Sequence, residues 1–206
     1  MAAGRAMLIH GLIDSSRVNG PGLRAVLFLQ GCKLGCRGCW NPGTHAFTGN
    51  DRSVDEIAAW VLQRRRHSGI EGVTLSGGEP MHQVSDLCRL VESVKAAAPD
   101  ISFGMFSGYS ERELSRGRFW TRADLTEADR SQLWLRLLDR LDFAVLGRFV
   151  ATQPTLSPLR TSLNQSLRLI TSRYTDADFD THEVEVTIEP AGLVQVTGFP
   201  TSGLPA

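Results

Sequence analysis

The chain has 206 residues, with 22 basic and 22 acidic side chains and no formal net charge. Its 42% hydrophobic and 21% charged content suits a soluble globular fold of one domain, large enough to bury a core without disulfide staples. Zero net charge gives no general attraction to nucleic acid or an anionic membrane, and no apolar run approaches the ~20 residues of a bilayer span. The N-terminal MAAGRAMLIHGLID runs straight into patterned sequence and does not read as a signal peptide, so a cytoplasmic protein is expected.

In chain order, RAVLFLQ (24–30) is a short β-rich apolar run that reads as a buried strand. A cysteine-bearing loop follows. Ser53 and Glu56 form a capping box that opens a helix to about His67, with Ile57, Val61 and Leu62 on one face. GVTLS (72–76) is a second strand, ending at Gly77-Gly78, and residues 84–98 form an amphipathic helix. ISFGMF (101–106) is a third strand. Thr126 caps a helix carrying Leu133, Leu137, Leu138 and Leu141; DFAVLG (142–147) is a fourth strand and SLRLIT (166–171) a fifth. Residues 183–198 alternate strictly around Pro190-Ala191-Gly192, which predicts an antiparallel hairpin.

Strands alternating with helices predict an α/β fold with a parallel sheet. Four or five such units are too few for a closed eight-stranded barrel of roughly 250 residues. The expectation is a partial, open βα barrel with its core at about 18–171 and a C-terminal β-hairpin, within one domain over 1–206.

Three of the four cysteines fall in QGCKLGCRGCWNPGT (30–44), spaced C-x-x-x-C-x-x-C. Such a cluster in a chain without an export signal reads as metal or redox chemistry, because thiolates suit zinc, Cu(I) and iron–sulfur centres. Three cysteines are one fewer than a closed site needs, so a four-iron cluster here would keep one iron open to a small molecule. A zinc site completed by His45 is the other reading of the same spacing. Cys88, between Leu87 and Leu90, reads as a small buried hydrophobe.

Gly77-Gly78-Glu79-Pro80 closes a strand just before a helix, where α/β folds place ligands. Its glycines permit close backbone approach, and Glu79 offers a carboxylate to a cation. Ser107 ends the third strand and could hydrogen-bond a ligand; Arg148 follows the fourth and could reach a carboxylate. The cysteine loop and three strand ends converge on one rim.

These segments resemble the radical S-adenosylmethionine superfamily, and within it the activating proteins of glycyl-radical enzymes, above all those of anaerobic ribonucleotide reductases. The matching stretches are VNGPGLR (18–24), FLQGCKLGCRGCWNP (28–42), TLSGGEP (74–80), FSGYSERELSRG (106–117), GRFV (147–150) and SLNQ (162–165), in the family's order. The resemblance implies a [4Fe–4S] cluster on Cys32, Cys36 and Cys39, with the open iron chelated by the methionine amine and carboxylate of S-adenosylmethionine. It assigns Gly77, Gly78 and Glu79 to the methionine amine, Trp40 and Asn41 to the walls of cluster and cofactor, and Ser107 and Arg148 to cofactor contacts. It further implies reductive cleavage to a 5′-deoxyadenosyl radical and abstraction of hydrogen from a glycine of a partner glycyl-radical enzyme, with flavodoxin or ferredoxin as reductant. A radical enzyme acting on a small molecule or peptide, a zinc-stabilised interaction protein and an iron–sulfur electron carrier are the competing readings.

Overall fold

Four apolar runs pair side by side as parallel strands, and everything that positions the site hangs on them. The computed structural model describes residues 6–179, 184–188, 192 and 194–199. The parallel strands are β2 (Arg24–Leu29), β4 (Gly72–Gly77), β5 (Ser102–Ser107) and β6 (Phe143–Leu146). Before them, β1 (Met7–Ser16) runs antiparallel to β2, and β3 (Asn50–Arg52) runs antiparallel to β1. Beyond β6 lies β7 (Ser166–Leu169), giving a seven-stranded order β3-β1-β2-β4-β5-β6-β7 among the described residues.

The crossovers are helical. α1 (Val54–Ser68) starts at the expected capping box: Glu56 N donates to Ser53 Oγ at 3.2 Å, and Ser53 N donates to Glu56 Oε2 at 2.7 Å. It stops at Gly69 in the left-handed region, φ 66°. α2 (Val84–Ala97) follows β4, while the short α3 (Glu111–Ser115) and α4 (Glu127–Leu138) connect β5 to β6. Helix α2 packs between α1 and α4.

Period-2 alternation gives the sheet two different faces. Ala25, Leu27, Leu29, Val73, Leu75, Phe103, Met105, Ala144 and Leu146 join the main core with Ile57, Leu87, Leu90, Val91, Trp134 and Leu137 from the helices. The opposite face carries Arg24, Phe28, Thr74, Ser76, Phe106, Phe143 and Val145. At its N-terminal end Arg24 is fully buried. Its guanidinium donates to Thr74 Oγ1 (2.8 Å), Val73 O (2.8 Å), Pro21 O (3.1 Å), Ser102 Oγ (3.1 Å) and the Tyr174 hydroxyl (3.3 Å), and stacks over the Phe143 ring at 5.0 Å. A buried charge persists there because each of the three guanidinium nitrogens finds an acceptor.

The sequence reading misses two strands and the direction of a third. In β1, bulges at Ile9/Gly11 and Ile13/Ser16 break the alternation that would mark a strand. β3 is three exposed polar residues with no apolar signal. The 166–171 run does form a strand, over Ser166–Leu169, but it is antiparallel to β6. Its preceding loop returns the chain to the rim, so no crossover helix intervenes. The C-terminal ribbon, β8 (Val184–Ile188) and β9 (Val194–Gly198), is antiparallel as expected, in a two-stranded sheet of its own. Glu183, Pro190 and Ala191 lie outside the described residues, so of the expected turn only Gly192 is described.

Arg24→Ala would strand several buried acceptors and leave a cavity. It is expected to lower unfolding free energy by about 3 kcal/mol, read as a lower midpoint in urea unfolding.

Candidate active site

The inward face of the parallel strands ends in a cavity of about 520 Å³. Its floor takes one side chain from each strand: Phe28, Ser76, Phe106 and Val145. Its rim carries Cys32, Cys36, Cys39, Trp40, Asn41, Gly77, Gly78, Glu79 and Ser107. Nine of the ten residues that the resemblance assigns to cluster and cofactor therefore share one cavity. Among the described residues no three of His, Cys, Asp or Glu converge on a single-ion site; the thiols are instead spread along the cavity rim. All three are free and half-buried. Burial pushes the Cys32 thiol up to about 11, with the nearby Glu79 carboxyl adding to it, and burial also raises Cys39.

Backbone bonds hold the cysteine loop. Gly31 N donates to Thr44 O (2.7 Å) and Cys32 N to His45 O (3.1 Å), closing the loop at its base. Within it Cys39 N donates to Cys36 O at 3.2 Å, and Asn41 N to Cys39 Sγ at 3.4 Å. Gln30 fastens this base from below: Nε2 donates to Gly43 O (3.1 Å) and Ala46 O (2.7 Å), while Oε1 meets His10 Nδ1 at 2.8 Å. Trp40 projects at the rim, 44% exposed, with its ring 6.0 Å from Phe149.

The end of β4 is pressed directly onto this loop. Gly78 N donates to Leu29 O (2.8 Å) and Glu79 N to Gly31 O (3.0 Å). Gly77 has φ +101°, and a Cβ there would lie 2.4 Å from Leu29 N; a Cβ on Gly78 would lie 2.5 Å from Gly31 O. The two glycines are thus required by packing as well as by any ligand.

Glu79 is 1% exposed. Its Oε1 accepts from Met81 N (3.0 Å) and the Ser107 hydroxyl (2.8 Å), and its Oε2 from Gly108 N (2.8 Å). Three donors favour the carboxylate, yet burial outweighs them and pushes the group up to about 7. Ser107, which in turn accepts from Tyr109 N at 3.2 Å, orients this carboxylate. Arg148 sits apart: it does not line the cavity, although Gly147 and Phe149 do. Its guanidinium pairs with Glu113 at 2.9 Å over the Tyr109 ring, and this pairing pulls Glu113 down to about 2. His45, the candidate fourth zinc ligand, also lies outside the cavity wall, with Nε2 buried and without a partner.

Sequence reasoning missed several walls. Asn19, Thr161 and Gln165 line the cavity, and both Asn19 and Gln165 lie in stretches that carried the family resemblance. Gln165 Oε1 accepts from Thr161 N (2.8 Å) and Ser162 N (3.1 Å), and its Nε2 donates to Gly147 O (3.0 Å), fixing the post-β6 loop. Val196, Thr197, Gly198 and Phe199 reach it from the hairpin; only the finished topology brings them there.

A parallel α/β sheet whose strand ends gather three cysteines beside a glycine-backed carboxylate defines an iron–sulfur protein with an adjoining ligand cavity. The sequence profile of the 4Fe-4S single cluster domain matches residues 18–168. The anaerobic ribonucleoside-triphosphate reductase-activating protein of Vibrio cholerae is 34% identical over 151 residues, spanning 71% of this chain and 87% of that protein. Its namesake from Enterobacteria phage T4 is 31% identical over 158 residues (73% and 86%), and that of Escherichia coli K12 is 28% identical over 148 (70% and 86%). The chain belongs to this family of single-cluster [4Fe–4S] activating proteins. The matched profile accordingly gives it a [4Fe–4S] cluster. Among solved structures, QueE from Escherichia coli overlaps 50% of this chain and 53% of its own at a TM-score of 0.40 and 17% identity, too partial a likeness to carry an argument.

The buried Glu79 carboxyl makes stability fall as pH rises from 4.5, its ordinary value, to about 7. In that window the folded chain holds a proton that the unfolded chain has lost. Relative to Glu79→Gln, the ligand-free wild type is expected to lose about 3 kcal/mol between these limits, measured by urea unfolding across the pH range.

Proposed function

We propose that the chain is a glycyl-radical activase for an anaerobic ribonucleotide reductase, with Cys32, Cys36 and Cys39 as its cluster ligands. The observation that carries this reading is the shared cavity. Three thiols and Gly77–Glu79 wall it together, and among the described residues the wall contains no fourth cysteine and no histidine that could close the metal centre. The donor set therefore fits a cluster with one coordination position left for a ligand, and does not fit a four-ligand zinc site.

Held by Cys32, Cys36 and Cys39, a cluster would supply one-electron reductive cleavage of S-adenosylmethionine, the source of the oxidising equivalent for hydrogen abstraction from a substrate. The chain's own residues bind and orient. The Gly77–Gly78 backbone and the Glu79 carboxylate hold the methionine amine, and Ser107 keeps that carboxylate aimed. Trp40 and Asn41 screen the cluster side of the cavity from water. Arg148 is occupied by Glu113 and steadies the turn after β5 in place of touching the cofactor. These contacts would act by proximity, holding the ligand beside the three thiols.

The parallel strands β2, β4, β5 and β6 are, in this reading, four staves of an open partial barrel in a single domain, and the lateral gap admits a glycine-bearing loop. The curated relatives are named for activating a reductase, a protein substrate. A glycine Cα–H suits the reaction because the product radical is delocalised into the flanking amides. A small one-electron protein such as flavodoxin or ferredoxin is the fitting reductant, and the cytoplasm the fitting compartment. No helix among the described residues is long and apolar enough to cross a membrane.

Anaerobic incubation of the reconstituted chain with dithionite, S-adenosylmethionine and the ribonucleotide reductase of the same genome should produce a glycyl radical on the reductase, seen by electron paramagnetic resonance. Cys36→Ala is expected to drop 5′-deoxyadenosine formation to background and to lower bound iron. Full activity in that variant would overturn the ligand assignment; turnover on a small substrate with no radical on the reductase would favour a different substrate class.

A further inference from the structure

The ribbon β8–β9 begins at Val184, beyond residue 168 where the family match ends, yet four consecutive residues of its second strand and exit line the cofactor cavity. Its faces are turned the wrong way for a packing element. Val186 stands opposite Val196 and Ile188 opposite Val194, and these four side chains are 50–70% exposed. Glu185 and Thr197, paired on the other face, are the ones that meet the body. Arg17 N donates to Glu185 Oε1 and the buried Asn19 Nδ2 to Thr197 Oγ1, each at 2.9 Å. A hairpin docked to bury apolar surface turns its apolar face inward. This one turns its polar face inward, where a polar ligand would need hydrogen-bonding groups. Just past β9, the Phe199 ring lies 5.5 Å from Phe106 at an interplanar angle of 32°, so the two rings make one aromatic surface, and with Phe28 they line the same cavity as Glu79. A flat apolar ring with a polar edge fits against such a surface, and the proposed function places the methionine part of S-adenosylmethionine at Glu79.

We propose that the hairpin is an added wall for the nucleoside end of the cofactor cavity, with Phe199 covering the adenine and Thr197, held by Asn19, facing its polar edge. The inference rests on the proposed function above, since it takes S-adenosylmethionine as the occupant.

The test measures S-adenosylmethionine binding to the cluster-loaded chain by anaerobic equilibrium dialysis. Phe199→Ala should raise Kd about tenfold, the loss of one buried aromatic face. Phe199→Leu should recover part of the affinity. Hydrogen exchange on the wild type gives an answer independent of any variant: amides of 194–199 should slow when the cofactor is added. An unchanged Kd in Phe199→Ala, or exchange in 194–199 indifferent to the cofactor, overturns the wall. A loaded wild-type chain that fails to bind S-adenosylmethionine removes the functional reading and this inference together. Binding that ignores Phe199 removes this inference alone.

Discussion

The site depends on one backbone-to-backbone contact: the end of β4 lying flat against the end of β2 and the first residues of the cysteine loop. Two hydrogen bonds, Gly78 N to Leu29 O and Glu79 N to Gly31 O, join the segments at 2.8 and 3.0 Å. No side chain fits between them, since Cβ atoms at 77 and 78 would fall 2.4–2.5 Å from backbone atoms. The contact places Cys32 and Glu79 on one cavity by main-chain geometry, with none of the rotamer freedom that side-chain contacts would leave. It also explains why Gln30 is committed to three backbone and side-chain partners beneath the loop. The loop has little apolar burial of its own, so hydrogen bonds must fix it.

The inward face of the sheet solves two polar problems at its two ends. At the N-terminal end the Arg24 guanidinium is buried, with each of its nitrogens bonded to neutral acceptors. At the C-terminal end a carboxyl is buried among three donors and still pushed up to about 7. The first is a closed network with nothing left to bind. The second is charge-deficient: Glu79 gains from any donor or cation that enters the cavity, because such a partner offsets the burial that raises it. The aromatic floor between them separates a structural pole from a binding pole.

Much of this was legible in the residues. The capping box at Ser53, the cap at Thr126, the four parallel strands and the cysteine and Gly-Gly-Glu segments carry local signals whose spacing is set by the physics of the element itself. What escaped was non-local. β1 hides behind two bulges, β3 has no apolar face, and the direction of β7 depends on where the preceding loop returns. Arg148 read as a cofactor ligand because it follows a strand end; its neighbours Gly147 and Phe149 reach the cavity while its own side chain is captured by Glu113. Sequence gives the position of a residue along the rim, whereas the competing partner that claims its side chain comes from an element 35 residues away.

The hairpin shows how a fixed site can acquire a new wall. The parts that carry the chemistry, residues 28–42 and 74–80, are locked by the β2–β4 contact and by Gln30, and none of those bonds involves anything after residue 83. A C-terminal extension can therefore pack over the open side of the cavity without disturbing the metal loop, provided that it meets groups already present there. Asn19 and Phe106 supply them: an amide that donates to Thr197 and a ring that receives Phe199. Because the extension touches the floor and not the rim, it can change how the cavity grips its ligand while leaving the thiols and Glu79 where the sheet puts them.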